Sequence, residues 1–354
     1  MKKDVLVKID NLVKKYAKKT RTLQVEFDIP SLDINYTYSS TKTDQKYHSA
    51  SVGKVFAATL VLKAIEDMDV DLTTKIHTIL DDKLLDGLFV YEGFDYQKNV
   101  TIRHLLSHTS GVNDYFDGKF NDGSKFLDRF FENKDRFFTP QELIDMTRNN
   151  QSAIGSPGKK YLYSDTGYLL IGLIIEKLYK MPYDQVLETY IFKPLKMNDT
   201  SLSWYSKSFD AKELAPLIFK GQDVRLFKAL SCDFSGGGLS TTTHDLTKFL
   251  KAFFKHEIIS ESSLEKMRSF EHVFHAGMYY GLGLIEIRFD KLFFLLKGYP
   301  RLQGGLGVSG AHAWCDDETL DTYVINMGDV KKMSSSFQLL IKVVSIIKKE
   351  KAKR

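Results

Sequence analysis

Ser51 and Lys54 stand three residues apart in the stretch His48-Ser49-Ala50-Ser51-Val52-Gly53-Lys54. On a helix, positions i and i+3 are neighbours on one face, so the lysine amine can reach the serine hydroxyl. A serine hydroxyl becomes a nucleophile when a base takes its proton, and a desolvated neutral lysine can be that base. The unpaired N–H groups and partial positive charge of a helix start favour the anion formed during attack. The bare pattern carries little weight, because Ser39, Ser156, Ser263 and Ser345 are each followed by a lysine at the same spacing. Ser51 differs in what comes next. Val55, Phe56, Leu60, Val61, Ala64 and Ile65 read as a buried helix, and a lysine on its first turn is partly desolvated. The competing reading of Ser51 is a helix N-cap. On these residues alone both readings stand.

The elements that must position this pair follow from the rest of the chain. Its 354 residues are 43% hydrophobic and 27% charged, which suits a globular protein with a substantial core. The net charge of +5 is diffuse and partly carried by the C-terminal tail, so no nucleic-acid footprint is expected. The 25 Phe and 18 Tyr do not interleave with basic residues as a binding stripe would. Two cysteines, Cys232 and Cys315, cannot build a disulfide framework or a cysteine-rich zinc site.

Val5, Leu6, Ile9, Leu12, Val13 and Tyr16 predict an amphipathic first helix. Met1-Lys2-Lys3-Asp4 lacks the apolar run of a leader, and no stretch is long and apolar enough to span a bilayer. The expected location is the cytoplasm, or the envelope or exterior if a leader precedes Met1. Thr22 to Ile29 and Leu32 to Tyr38 alternate around Pro30 and Ser31 as a hairpin. Helices are expected after Thr101, over Pro140 to Asn149, from Tyr168 to Tyr179, over Tyr183 to Ile191 and over Asp245 to Phe254. Strands are expected at Gly281 to Phe289, Phe293 to Leu296, Ala311 to Cys315 and Thr322 to Asn326, with a last helix from Ser335 to Lys349. Strands at both ends and helices between them predict an α/β (α+β) fold. Residues 1–48 and 231–354 would form an antiparallel sheet flanked by terminal helices. Residues 49–230 would be an inserted helical domain, with the active site where the two meet.

Four stretches then stand together: Ser51-Val52-Gly53-Lys54, Leu105-Leu106-Ser107-His108-Thr109-Ser110-Gly111-Val112, Tyr163-Ser164-Asp165-Thr166-Gly167-Tyr168 and Gly236-Gly237-Gly238-Leu239-Ser240-Thr241. Their order and spacing resemble the serine β-lactamase and penicillin-binding-protein superfamily. The branch they resemble holds class C β-lactamases, D-alanyl-D-alanine carboxypeptidases and esterases. The likeness runs from about Val25 to about Asn326. It implies the β-lactamase/DD-peptidase-like fold and a serine hydrolase that works through an acyl-enzyme, without a cofactor or metal. Ser51 would be the nucleophile, Lys54 its base, and Tyr163 the shuttle of the proton to the leaving group. The implied substrate is a small ester, amide or D-amino-acid peptide. The resemblance leaves the oligomeric state open.

Two positions depart from the pattern. Asp165 stands where the group more often has Asn; a carboxylate beside Lys54 would hold the lysine charged. Its competing reading is a helix cap, with Thr166 as the alternative cap. The group usually carries Lys-Thr-Gly, His-Thr-Gly or His-Ser-Gly on the strand beside the serine. Here Gly305-Leu306-Gly307 aligns with it, and Val308-Ser309-Gly310 is the other candidate for the slot. The oxyanion hole would be the backbone N–H groups of Ser51 and Val308. The cation that helps bind a substrate carboxylate is absent, so recognition of β-lactams and D-Ala-D-Ala is in question.

Other patterns were weighed. Gly305-x-Gly307-x-x-Gly310 matches a dinucleotide-binding pattern but does not open a helix. His104 and His108, four residues apart, suggest a zinc hydrolase but lack a third ligand. The basic end of the last helix could touch an anionic membrane, against the simpler reading of a solvated tail. A catalytically silent member of the fold, kept to bind or sense a ligand, is the remaining alternative.

Overall fold

The computed structural model describes residues 2–353. Its first helix, α1 (Lys2–Ala17), buries Val5, Ile9, Val13 and Tyr16, the apolar stripe of the sequence. Strands β1 (Gln24–Ile29) and β2 (Ile34–Ser39) pair antiparallel around a turn at Pro30–Leu32. Helix α2 (Gly53–Asp67) is buried almost all round, including Lys54. Helix α3 (Asp165–Tyr179) packs on it, and α4 (Thr243–Phe254) lies against the sheet. Six more strands come from the C-terminal part. They are β3 (His272–His275), β4 (Met278–Tyr280), β5 (Ile285–Ile287), β6 (Leu302–Gly307), β7 (Ala311–Asp316) and β8 (Asp321–Asn326). Helix α5 (Met333–Lys351) closes the chain.

The eight strands form one antiparallel sheet in the order β3-β4-β5-β6-β7-β8-β1-β2. Both chain ends therefore share a sheet, joined by the β1–β8 ladder from Gln24↔Asn326 to Asp28↔Thr322. Strand alternation sorts the two faces. Ala311, Ala313, Cys315 and Val324 join the core shared with α2, α3 and α4. Trp314, Tyr323, Ile325, Val25 and Phe27 join the core under α1 and α5. Small residues on the first face let helices approach, and large ones on the second fill the space beneath the terminal helices. Trp314 is fully buried, and truncating it to Ala would cost about 3–5 kcal/mol. Its indole N–H donates to His312 Nδ1 at 2.8 Å, and His312 Nε2 meets Ser336 Oγ at 2.7 Å, tying α5 to the sheet.

Two expectations need correction. The strand expected over Gly281 to Phe289 is confined to Ile285–Ile287 (β5): Gly283 turns between β4 and β5 with φ of +75°, and Phe289 opens a helical turn. A Cβ there would lie 2.2 Å from Ala58 Cβ, so only glycine lets this turn rest on α2. Phe293 to Leu296 is not a strand either. It is a short helical turn whose Phe294 is 73% exposed. β5 pairs directly with β6, so no ladder position is left for it.

Candidate active site

The turn carrying Ser51 is built from its neighbours. Residues 50–52 form a tight helical turn before α2. Ala50 has φ of +47°, a left-handed conformation costly for a residue with a Cβ. The surroundings hold it there. The Ala50 N–H donates to His48 Nδ1 at 3.2 Å, and Ser49 Oγ donates to the Gly237 carbonyl at 3.1 Å. A Cβ on Gly237 would lie 2.6 Å from the Ala50 carbonyl, so the glycine run lets its backbone abut this turn. Ser51 is half-buried, and its hydroxyl makes no cap bond to the helix. The N-cap reading of Ser51 therefore falls.

Lys54 is only 2% exposed, and its three ammonium donors have three acceptors. Nζ meets Ser51 Oγ at 3.3 Å, the Gly236 carbonyl at 2.6 Å and the Asp165 carboxylate. It also lies 4.8 Å from the Tyr163 ring centre and 5.3 Å from that of Tyr168. Burial pulls the Lys54 pKa down, but Asp165 and Tyr163 outweigh it and the net direction is up. Lys54 thus rests as an ammonium. Lys54 and Ser51 both lie near enough to the Tyr163 hydroxyl to pull its pKa down. Burial pushes the phenol up to about 12, against the lowering pull of Lys54. Tyr163 therefore rests protonated.

Asp165 opens α3 but does not cap it. Ser164 does, its Oγ accepting from the Gly167 N–H at 3.1 Å. Thr166, the other expected cap, instead accepts from the Tyr115 N–H at 3.0 Å. The cap frees the Asp165 carboxylate for Lys54. Behind it sits Asp114, 3% exposed, which accepts the backbone N–H groups of Asp165 and Asp117, each at 2.8 Å. Burial, then the charge of Asp165, raises Asp114 to about 7. Asp233 rises to about 7 for the same two reasons, with Lys54 pulling the other way. Asp117 rises by burial and by Asp165. Three further carboxyl groups thus lie in the field of Asp165.

Gly305 and Gly307 lie on the β6 face that meets this turn. A Cβ on Gly307 would lie 2.5 Å from the Ser49 carbonyl, and one on Gly305 3.0 Å from Val55 Cγ2. Leu306 points the other way, into the core beneath the terminal helices, so the expectation that it lines the cleft is corrected. Strand alternation is the reason. Val308–Gly310 form the turn after the strand, closed by the Gly310 N–H on the Gly307 carbonyl at 3.0 Å. The strand position beside the serine is therefore held by residues 305–307. Val308 is 45% exposed at its end.

His104 and His108 do not act as a pair. His104 Nδ1 accepts the Thr101 N–H at 3.2 Å, completing a helix cap. His108 Nδ1 accepts the Ser164 N–H at 3.0 Å, and its ring packs 4.4 Å from that of Tyr163. Burial holds His108 neutral, its pKa well below the usual value. It positions the Tyr163–Ser164 segment. No group of three or more His, Cys, Asp or Glu side chains among the described residues could hold a metal. Residue spacing did not single out the Gly236 carbonyl, Asp114 or Asp233. The glycine run was a signal for the first; nothing in the sequence marked the two acids.

Comparison with known proteins identifies the family and the fold. The Beta-lactamase family model matches residues 35–315. The chain belongs to the beta-lactamase family. Penicillin-binding protein 4* of Bacillus subtilis (strain 168) is 30% identical over 240 residues, covering 63% of this family member and 48% of that protein. The chain thus spans about half the length of that curated relative. D-amino acid amidase of Ochrobactrum anthropi SV3, solved in complex with L-phenylalanine amide, superposes with a TM-score of 0.80. The two are 24% identical, with 98% of this chain and 99% of that one covered. EstCE1, a hydrolase with promiscuous acyltransferase activity, gives a TM-score of 0.76 at 16% identity over 97% of this chain and 98% of that one. Both likenesses are of fold. No helix among the described residues is long and apolar enough to cross a membrane.

Proposed function

We propose that the protein is a serine acyl hydrolase that forms an acyl-enzyme on Ser51 of a small ester or amide. The cleft would lie between the sheet part, residues 1–48 and 231–354, and the helical part, residues 49–230. The observation that carries this reading is Lys54 Nζ at 3.3 Å from Ser51 Oγ, with the Tyr163 ring centre 4.8 Å from the same ammonium. Ser51 Oγ attacks the carbonyl carbon, and its proton passes to Lys54. Because Lys54 rests charged, it must first yield a proton to Asp165, with which it shares a hydrogen bond. In a desolvated site a neutral amine beside a protonated carboxyl competes with the ion pair, so the two act as one base. The backbone N–H groups of Ser51 and Val308 hold the oxyanion. The tetrahedral intermediate collapses, the C–O or C–N bond breaks, and Tyr163 hands the leaving group its proton while taking the one that Lys54 received from Ser51. Water then attacks the acyl carbon and gives a proton to the same base, which returns it to Ser51 Oγ as the acyl C–Oγ bond breaks.

The substrate we infer is neutral or carries an amine. Asp165 occupies the Lys54 ammonium, Asp114, Asp117 and Asp233 lie within the field of Asp165, and β6 offers glycine where relatives offer a cation, so a substrate carboxylate finds no partner. D-amino acid amides, the substrates named for one relative, fit that description. The test is intact mass after parallel incubation with a fluorophosphonate, an activated ester and a penicillin. Adducts on Ser51 with the first two, with turnover of the ester, are expected. Asp165 favours a second reading, a catalytically silent ligand-binding member, because it holds Lys54 charged. Failure of both fluorophosphonate and ester to label Ser51 would decide for that reading.

A further inference from the structure

Away from the cleft, Phe293, Phe294 and Leu295 form an apolar spur, 51%, 73% and 66% exposed. Scattered exposed leucines are common, but three consecutive large apolar side chains turned to water mark a contact surface. The spur is firmly based. Leu292 packs onto the β3–β4 turn, where a Cβ on Gly277 would lie 2.4 Å from its Cγ. The Phe289 and Tyr299 rings meet 5.6 Å apart at its root.

Basic side chains bracket the spur, while Glu265, Asp317 and Glu318 line the cavity at its root with Gly298, Tyr299 and Lys348. Lys291 and Lys297, both exposed, bracket the spur. Lys348, from the last turn of α5, donates to the Lys297 carbonyl at 3.1 Å and lies 4.5 Å from the Tyr299 ring centre. Exposed Lys349 follows it. Lys351 and Lys353 are neutralised by Asp321 at 2.6 Å and Glu350 at 2.8 Å. Asp290 is the acid on the spur itself. The fold thus brings the basic helix end to an apolar tip far away in sequence.

We propose that this spur, with Lys291, Lys297 and Lys348 around it, docks the protein reversibly on an anionic lipid surface. Aromatic and leucine side chains enter the boundary between headgroups and acyl chains while lysines meet lipid phosphates. The exposed apolar side chains can enter a deformable surface, and the cations beside them complement an anionic one. Docking has a consequence for the cleft. The hairpin that supports Leu292 also carries Phe274, whose ring lies 5.2 Å from that of Tyr163. Substrates held at the surface would meet the cleft through that hairpin.

The test uses the full chain and sedimentation with vesicles of phosphatidylglycerol and phosphatidylcholine, or of phosphatidylcholine alone. Binding is expected on the anionic vesicles only, and it falls as salt screens the lysines. Phe294→Ser with Leu295→Ser is expected to weaken it by about tenfold or more, and Lys291→Gln with Lys297→Gln by a smaller factor. A Phe294→Trp variant keeps the surface intact and reports on it directly: its emission should shift to the blue when anionic vesicles are added. Absence of binding to anionic vesicles overturns the proposal, as does equal binding by the spur variants. A dimer in light scattering that the serine pair dissociates also overturns it, because the spur would then be a contact between copies. None of these readouts depends on catalysis.

Discussion

The two walls that meet at Ser51 are built on opposite terms. On one side stand the Ser51 turn, Lys54, Asp165 and the Gly236 carbonyl, a buried polar cluster in which each ammonium donor is used. On the other stands β6, which contributes glycine backbone and turns Leu306 away from the cleft. Chemistry-bearing groups crowd the first wall. The second cannot carry a side chain without moving: Gly307 faces the Ser49 carbonyl, and Gly305 faces Val52 and Val55. The contrast separates reaction from recognition. On the proposed function, the first wall would carry out acyl transfer, and the second would lack the charge that selects a carboxylate.

The largest effects should break the first wall. Ser51→Ala is expected to abolish fluorophosphonate labelling and lower ester hydrolysis by roughly three decades or more. Because the hydroxyl makes no cap bond, unfolding stability should change by about 1 kcal/mol or less. Intact mass and a urea melt check the two halves; an adduct that persists would identify another nucleophile. Lys54→Met should cost a similar rate factor and also destabilise the protein by about 3–5 kcal/mol, because it strands the Asp165 carboxylate.

The second wall is tested by choice of substrate. A carboxylate docked beside Gly305 and Gly307 forgoes a charge-assisted hydrogen bond of roughly 1.5–3 kcal/mol. That amounts to roughly one to two decades in kcat/KM. Short-chain p-nitrophenyl esters should therefore acylate Ser51 faster than penicillins by at least that margin. Arg301 does not supply the missing cation from its end of β6. Its guanidinium is held by Glu286 at 3.1 Å, and Leu302 and Gly307 are roughly 17 Å apart along the strand. Penicillin acylation as fast as ester acylation would remove the contrast.

Asp165→Asn sharpens the comparison from within the first wall. Asp165 raises the Lys54 pKa, so its removal lowers it. The rising limb of kcat/KM against pH should move to lower pH in the variant. An unmoved limb would mean that Lys54 does not set it.

The smallest expected effect concerns stability. Asp114 has its carboxyl raised from 3.8 to about 7 by burial and by Asp165, so the native state holds this proton more tightly than the unfolded chain. Its contribution is present below pH 3.8 and is lost as pH rises through about 7. Asp114→Asn should flatten the fall in stability between those limits, measured by urea unfolding at several pH values. An unchanged slope would place the titration elsewhere.

Local pattern made much of the fold legible. The stripe of α1, the β1–β2 hairpin, β7 and β8 were visible because their apolar periodicity is that of the element formed. Phe293 to Leu296 misled because a short apolar run reads as a strand whether or not a ladder position exists for it. Leu306 misled for a related reason: a motif aligned along the chain does not say which face of a strand a residue takes.

By itself the sequence determined the proposed reactive set: Ser51 and Lys54 at helical spacing, Tyr163 two residues before Asp165, and the glycines that abut the Ser51 turn. These depend on residue type and on distance along the chain. Tertiary structure alone decided what state that set is in. It brought Asp165 to Lys54 across 111 residues, set Asp114 behind Asp165, and laid the Gly236 carbonyl on the same ammonium. Protonation follows from burial and from charges that are distant in sequence, and neither is a property of any one segment.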